Sequence, residues 1–164
     1  MATYAEDIAT LLIDRALTVG TVESATGGLI AHTLTNIAGS SYFYKGSIVS
    51  YSNEAKTGVV GVRAETIERY GAVSSGVAEE MAAGGKRVLG VDICLSDTGI
   101  AGPTGGTPEK PLGMFFLGFS YEGGTYSRKF LFHGDRLMNK QSAADAALSW
   151  LRDFLTGKWV PGLP

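Results

Sequence analysis

The stretch VESATGGLIAHTLTNIAGS, residues 22–40, contains the transition that decides the fold. Its first residues alternate apolar and polar side chains, which predicts a strand over Val19 to Ser24. Apolar residues then recur at helical spacing, which predicts a helix over Thr26 to Asn36. Ser-Ala-Thr-Gly-Gly lies between the two, although one glycine would be enough for the connection. Backbone N–H groups at a helix start, with a hydroxyl beside them, are one way to build a site.

The composition fits an ordinary globular protein. The chain has 164 residues, of which 45% are hydrophobic and 18% charged, so we expect a single domain over residues 1–164. The net charge is −2, and no overall positive field exists to attract nucleic acid or an anionic membrane. A single cysteine, Cys94, excludes an internal disulfide framework and a cysteine-rich zinc site.

The first residues give no sign of export. The start MATYAEDIATLL is acidic and amphipathic, whereas a signal peptide has a basic segment followed by an apolar one. No stretch approaches the roughly 20 apolar residues of a membrane helix. We therefore expect a soluble cytoplasmic protein without nucleic-acid or membrane partners.

Strands and helices alternate along the chain until a β-hairpin appears. This order predicts a three-layer α/β/α sandwich around a mixed, mostly parallel sheet with a C-terminal β-hairpin. Asn53 and Asp135 are predicted to cap the helices that follow them, and the tail GKWVPGLP is expected to be loose. The other predicted elements are helices over residues 4–18, 53–60, 64–70, 76–89 and 135–155, and strands over 43–52, 91–96, 112–121 and 125–132.

Four stretches carry the polar residues and glycines that a site needs. Each lies at the end of a predicted strand or just after it, where open α/β sheets bind ligands. They are SATGG (24–28), SYSNEAK (50–56), GIAGPTGG (99–106) and HGDRLMNK (133–140).

Ser24 is either a helix cap or a nucleophile that needs a base. Histidine is the usual base, but His32 is predicted on the outer face of a helix and His133 ends a strand, so a triad is unsupported. Lys56 and Tyr51 are the remaining candidates, and a lysine acts as a base only when its surroundings lower its pKa. On spacing alone, a solvated Lys56 and a packed Tyr51 are the better explanation.

The other two stretches suggest anion binding. GIAGPTGG lacks the lysine of a P-loop and precedes no helix, so it is either a turn-rich connector or a loop whose N–H groups hold a phosphate or ribose. Arg136 and Lys140 are four residues apart and share one helix face near its N-terminus. That pair suits a phosphate, although a solvated helix face explains it as well.

Together and in this order, these stretches resemble the C-terminal domain of the competence/damage-inducible CinA family. The likeness runs from about Leu12 to about Leu155. It rests on VESATGGLIA (22–31), IAGSSYFYKGSIVSYSNEAK (37–56), GVRAETIERYGAVS (61–74), TGIAGPTGG (98–106) and GDR (134–136). The longer members carry a further N-terminal domain, so the resemblance implies a stand-alone version of the C-terminal one.

The resemblance implies a nicotinamide-nucleotide amidohydrolase, which converts nicotinamide mononucleotide (NMN) to nicotinate mononucleotide and ammonia in pyridine-nucleotide recycling. It implies a serine nucleophile, Ser24, assisted by Tyr51 and Lys56, without cofactor or metal. An oxyanion would be stabilised by N–H groups near residues 26–28. The residues implied to bind the substrate are Thr26, Gly27, Gly28, Gly102, Thr104, Gly105, Arg136 and Lys140.

Two departures from the family pattern bear on this interpretation. Ala25 stands where the family often has cysteine, and Lys140 stands where it often has arginine, which would hold phosphate with two donors instead of a point charge. The partner implied is a small nucleotide, and a homodimer is a possible assembly. A nucleotide-binding module without activity and an amidase for another small amide are the alternatives.

Overall fold

The computed structural model describes residues 4–163. No helix within this range is both long and apolar enough to cross a membrane. The elements in chain order are α1 (Tyr4–Asp14), β1 (Val19–Glu23), α2 (Leu29–Thr35), a 3-10 turn (Ser40–Tyr42), β2 (Tyr44–Val49), α3 (Asn53–Val60), α4 (Ala64–Tyr70), α5 (Ser75–Leu89), β3 (Ile93–Gly99), β4 (Met114–Tyr121), β5 (Gly124–Leu131) and α6 (Arg136–Leu155).

The five strands form one sheet in the order β2-β1-β3-β4-β5. β1 runs parallel to both β2 and β3, whereas β4 and β5 pair antiparallel as the predicted hairpin. Helices cover both faces, so the predicted three-layer α/β/α architecture is confirmed. The parallel arrangement brings the carboxyl ends of β1, β2 and β3 to the same edge of the sheet.

Two apolar clusters fill the space between sheet and helices. The larger lies between the sheet and helices α1, α2 and α6, with residues such as Leu12, Leu34, Leu95 and Trp150. The smaller packs α3 and α5 against the other face, around Val22, Val60, Met81 and Cys94. Cys94 is fully buried there, as the apolar run around it predicts.

Helix α5 approaches its neighbours so closely that two of its positions require glycine. A Cβ atom on Gly84 would lie 1.8 Å from the carbonyl oxygen of Val60, and one on Gly85 would lie 2.2 Å from Val22 Cγ2. Since the first obstacle is backbone, no side-chain rotation relieves it. The contact therefore fixes the end of α3 against α5.

We expect Gly84→Ala to lower the free energy of unfolding by about 1–3 kcal/mol, because overpacking displaces backbone. Urea denaturation followed by circular dichroism measures it. Gly58→Ala on α3 is the matched control, since a Cβ there meets nothing within 4 Å, and helix propensity makes it neutral or slightly stabilising. Equal stabilities of the two variants would contradict the packing argument.

The start of α2 and the cap of α3 differ from the predictions. α2 begins at Leu29, three residues later than predicted, because residues 24–28 form a turn. The cap of α3 is Ser52, whose hydroxyl accepts from Ala55 N at 3.0 Å, and not Asn53. Asp135 caps α6 as predicted and accepts from Met138 N at 2.9 Å.

The prediction of a loose C-terminal tail is wrong for Trp159. Its ring lies 5.2 Å from those of Phe119 and Trp150, between ring centres. The Arg128 guanidinium lies over the rings of both Trp150 and Trp159, at 4.6 and 5.3 Å. Because aromatic pairs and a cation–π contact hold Trp159, the segment after α6 packs onto the hairpin.

Candidate active site

Ser24 follows β1 directly and opens the turn that leads to α2. Val22 of β1 pairs with Ser96 of β3, so Ser24 and Asp97 lie side by side at the carboxyl edge of the sheet. Ser24 is 7% exposed. Gly27 and Gly28 complete the turn with φ angles of 62° and 102°, which residues other than glycine rarely adopt. The glycine pair is therefore required by the backbone path.

Lys56 reaches the same place from α3, and its side chain is 2% exposed. Its Nζ lies 3.0 Å from Ser24 Oγ, 3.0 Å from the Ser50 carbonyl oxygen and 3.1 Å from that of Tyr51. As an ammonium group it donates to all three oxygens. As a neutral amine it donates to the two carbonyls and accepts the Ser24 proton. The geometry thus accommodates both protonation states of a base.

Burial lowers the pKa of the Lys56 ammonium below its ordinary value of 10.5, and the Asp97 carboxylate opposes this with a smaller raising effect. No carboxylate lies within hydrogen-bond distance of Nζ among the described residues. A buried amine with only neutral oxygen partners loses its proton more readily than a solvated one. A candidate base, Lys56, therefore lies within hydrogen-bond distance of a candidate nucleophile, Ser24.

The Ser24–Lys56 pair lines a cavity of about 180 Å³. Arg136, from the first turn of α6, and Tyr51 line the same cavity. The Arg136 guanidinium donates to the Gly102 carbonyl oxygen at 2.7 Å and to the Tyr51 hydroxyl at 3.3 Å. The Tyr51 hydroxyl thus contacts Arg136, and the contact between Tyr51 and Lys56 is made by the main-chain carbonyl. A role for that hydroxyl in proton transfer stays a prediction.

The main-chain N–H groups predicted to stabilise an oxyanion are already used within the turn. Thr26 N donates to Asp97 Oδ2, Gly27 N to the Ser24 carbonyl and Gly28 N to Glu23 Oε1, each at 3.1 Å. The prediction of a Thr26–Gly28 oxyanion site is therefore wrong in this detail. Ala25 lines the cavity, and its N–H has no acceptor among residues 4–163. Among the main-chain N–H groups of residues 24–28, it is the one without an acceptor in the described part of the chain.

Two buried carboxylates, missed by the sequence analysis, hold the turn in place. Glu23 accepts from the N–H groups of Gly28, Ile30 and Ala31, so it takes up donors that α2 leaves free at its start. Asp97 accepts from Ser24 N at 3.0 Å and from Thr26 N. The available signal was an acidic residue at the end of each of two apolar strands.

Asn139 is a third functional residue that the sequence pattern did not indicate. It is 2% exposed, and its amide donates to the carbonyls of Ala101 and Gly134 while accepting from Gly134 N. These bonds tie the start of α6 to the loop over residues 99–106. Arg136 is consequently held above the cavity.

The remaining predicted substrate-binding residues lie outside this cavity. Lys140 lines a neighbouring pocket with Thr26, Gly27 and Gly28. Thr104 and Gly105 line an exposed pocket of the 99–106 loop, and the Gly102 carbonyl accepts from Arg136. Their binding roles stay predictions. Across residues 4–163 no three His, Cys, Asp or Glu side chains cluster as metal ligands would.

Sequence comparisons match nearly the whole chain to one family. A sequence model of the CinA C-terminal domain matches residues 1–155. A CinA-like protein of Chloroherpeton thalassium is 52% identical over 155 residues, which are 92% of this chain and 37% of that protein. One from Salinibacter ruber is 47% identical over 142 residues, 87% of this chain and 34% of that protein. The chain spans little more than a third of the length of these curated relatives.

Solved structures of competence/damage-inducible proteins share this fold. The competence damage-inducible protein A of Klebsiella pneumoniae superposes with a TM-score of 0.90 at 35% identity, covering 93% of this chain and 95% of that one. A competence/damage inducible protein of Agrobacterium tumefaciens gives a TM-score of 0.86 at 35% identity, covering 95% and 98%. Sequence and fold agree over the elements that build the site. The chain belongs to the CinA C-terminal domain family.

Proposed function

We propose that the protein hydrolyses the carboxamide of nicotinamide mononucleotide to nicotinate mononucleotide and ammonia. The observation that carries the proposal is the 3.0 Å contact between Lys56 Nζ and Ser24 Oγ, both buried at one cavity. A hydroxyl beside an amine of lowered pKa is the arrangement that amide-cleaving serine enzymes without histidine use. Membership of the CinA family and the Arg136 guanidinium beside the pair support a nucleotide substrate.

The reaction begins with attack of Ser24 Oγ on the carboxamide carbon, while neutral Lys56 takes the hydroxyl proton. The carbonyl oxygen becomes an oxyanion, and the Ala25 N–H is the donor available to it. Lys56 then gives its proton to the departing nitrogen, and ammonia leaves. In the second half, water attacks the acyl ester and Lys56 takes the proton of the water. That proton returns to Ser24 Oγ as nicotinate mononucleotide departs.

Two cations are candidates for the phosphate. Arg136 lines the cavity that contains Ser24, whereas Lys140 lines the pocket on the other side of the turn. A cavity of about 180 Å³ has room for an aromatic carboxamide, and Arg136 is the guanidinium cation in its lining. We therefore assign the phosphate to Arg136 first.

We expect Arg136→Ala to raise KM for NMN about ten- to hundredfold, the value of one charge-assisted contact. KM for nicotinamide riboside, which lacks the phosphate, should change far less. The riboside therefore serves as the control substrate for each variant. Steady-state kinetics on Lys140→Ala separates the two cations. An unchanged KM in both variants would place the phosphate elsewhere, on the backbone of the 99–106 loop.

The function itself is tested by measuring ammonia release from NMN, nicotinamide riboside, nicotinamide and unrelated small amides with the purified protein. Preferential turnover of NMN supports the proposal. The cavity volume favours one second candidate, an amidase for a smaller amide, and that activity would show as faster release from an amide without ribose phosphate. Binding of NMN without ammonia release would contradict both.

A further inference from the structure

Asp97 is fully buried near the carboxyl end of β3 and does not line the cavity. Its Oδ1 accepts from Ser24 N at 3.0 Å, its Oδ2 accepts from Thr26 N at 3.1 Å, and the Thr26 hydroxyl is in short contact with Oδ1. These three contacts hold both sides of Ala25, whose N–H is the available donor of the turn. Asp97 therefore determines the path of the main chain that carries Ser24.

The Thr26 hydroxyl lies between two carboxyl groups. It is 2.8 Å from Glu23 Oε1 on one side and in contact with Asp97 on the other. Through this hydroxyl, the two buried carboxyl groups belong to one hydrogen-bond network. Glu23 also accepts from the main-chain N–H groups of Gly28, Ile30 and Ala31.

The charge on Asp97 acts on Lys56. Burial raises the pKa of Asp97 to about 6, against the lowering effect of its hydrogen bonds from Thr26 and Ser24, and the Glu23 charge raises it further. The ionised carboxylate in turn raises the pKa of Lys56. Glu23 from β1 and Lys56 from α3 are the ionisable groups of this network, and β4 contributes Leu117 opposite Asp97.

We propose that Asp97 is a positioning residue for reaction at Ser24, which fixes the turn of the nucleophile by accepting from Ser24 N and Thr26 N. The inference rests on the proposed function, in which Ser24 attacks and Lys56 is the base. Asp97 contacts no substrate, so its effect passes through the main chain and through the charge of Lys56.

The test compares the pH dependence of Ser24 reactivity in the wild type, Asp97→Asn and Asp97→Ser. Methanesulfonyl fluoride is the probe: a bond forms between Ser24 Oγ and sulfur, fluoride leaves, and the serine proton passes to Lys56. Intact-protein mass spectrometry measures the rate at each pH, and NMN turnover is followed in parallel. Asp145→Asn, at an exposed position on α6, is the matched control, with wild-type behaviour expected.

Neutral variants remove the charge that retains the Lys56 proton, so the midpoint of the rising rate should move to lower pH in Asp97→Asn. The plateau rate should fall about tenfold, because an amide leaves one N–H of the turn without its acceptor. Asp97→Ser leaves room for water beside the turn and should show the same direction of midpoint shift if the asparagine variant folds poorly. Circular dichroism verifies the fold of each variant.

Unchanged midpoints in the folded variants, with normal NMN turnover, overturn the role of Asp97 and leave the proposed function intact. If the wild type does not turn over NMN but the Asp97 variants show a lowered midpoint for sulfonylation, NMN is not the substrate and the role of Asp97 is supported. If Ser24 does not react with the probe and the protein releases no ammonia from NMN, the proposed function and the role of Asp97 are both wrong.

Discussion

Ser24→Ala is expected to reduce ammonia release from NMN by at least about 10³-fold, since removal of a nucleophile costs up to ~10⁶ in kcat in serine hydrolases. Among the described residues, the Ser24 hydroxyl is the side-chain oxygen that contacts Lys56 Nζ. Two neighbouring hydroxyl groups already have acceptors: that of Thr26 contacts the buried carboxylates, and that of Thr98 donates to the Ala72 carbonyl at 2.8 Å. Ammonia release under saturating NMN measures the loss.

The fold should survive this substitution, because the Ser24 side chain makes no other hydrogen bond within residues 4–163 and its main-chain N–H still donates to Asp97. Thermal unfolding by circular dichroism checks this. Ser41→Ala, at an exposed position after α2, is the control with unchanged turnover. Wild-type ammonia release by Ser24→Ala would contradict the nucleophile assignment outright.

The sequence could predict the elements because their signals are local. Periodicity identifies β1 and α2 on either side of Ser24, and it places all four polar stretches after strands. The same signals do not specify which strands are neighbours. Ser24 and Lys56 meet because β1 lies beside β2 in the sheet, and that order follows from packing across the whole domain. The resemblance to the CinA family supplied this pairing before the structure did.

What the sequence could not show is which donors are already used. Glycine-rich turns suggest free N–H groups, but those of Thr26, Gly27 and Gly28 have acceptors inside the protein. Two of these acceptors are Glu23 and Asp97, which lie at the ends of different strands. Whether each N–H group has an acceptor depends on the positions of both strands. The unpaired N–H of Ala25 could therefore be identified only from the three-dimensional structure.

Lys56→Met is expected to lower kcat for NMN by about 10²- to 10⁴-fold, the usual contribution of general acid–base catalysis. Methionine retains most of the side-chain volume but neither accepts the Ser24 proton nor delivers one to the departing nitrogen. KM should change little, since Arg136 remains in place. In the wild type, the rate should rise with pH through a midpoint below 10.5, because burial lowers the pKa of Lys56 and the neutral form is the active one.

Stability supplies an independent readout of the same group. A lysine whose folded-state pKa is lowered binds fewer protons in the folded chain than in the unfolded one, between the folded pKa and 10.5. Its contribution to the free energy of unfolding therefore rises as pH rises through this window. Lys56→Met should lose that rise, whereas Lys129→Met, at an exposed position of β5, should keep it together with full turnover. Urea denaturation at several pH values measures both, and a Lys56→Met protein that retains turnover and the same pH dependence would exclude a neutral buried lysine as the base.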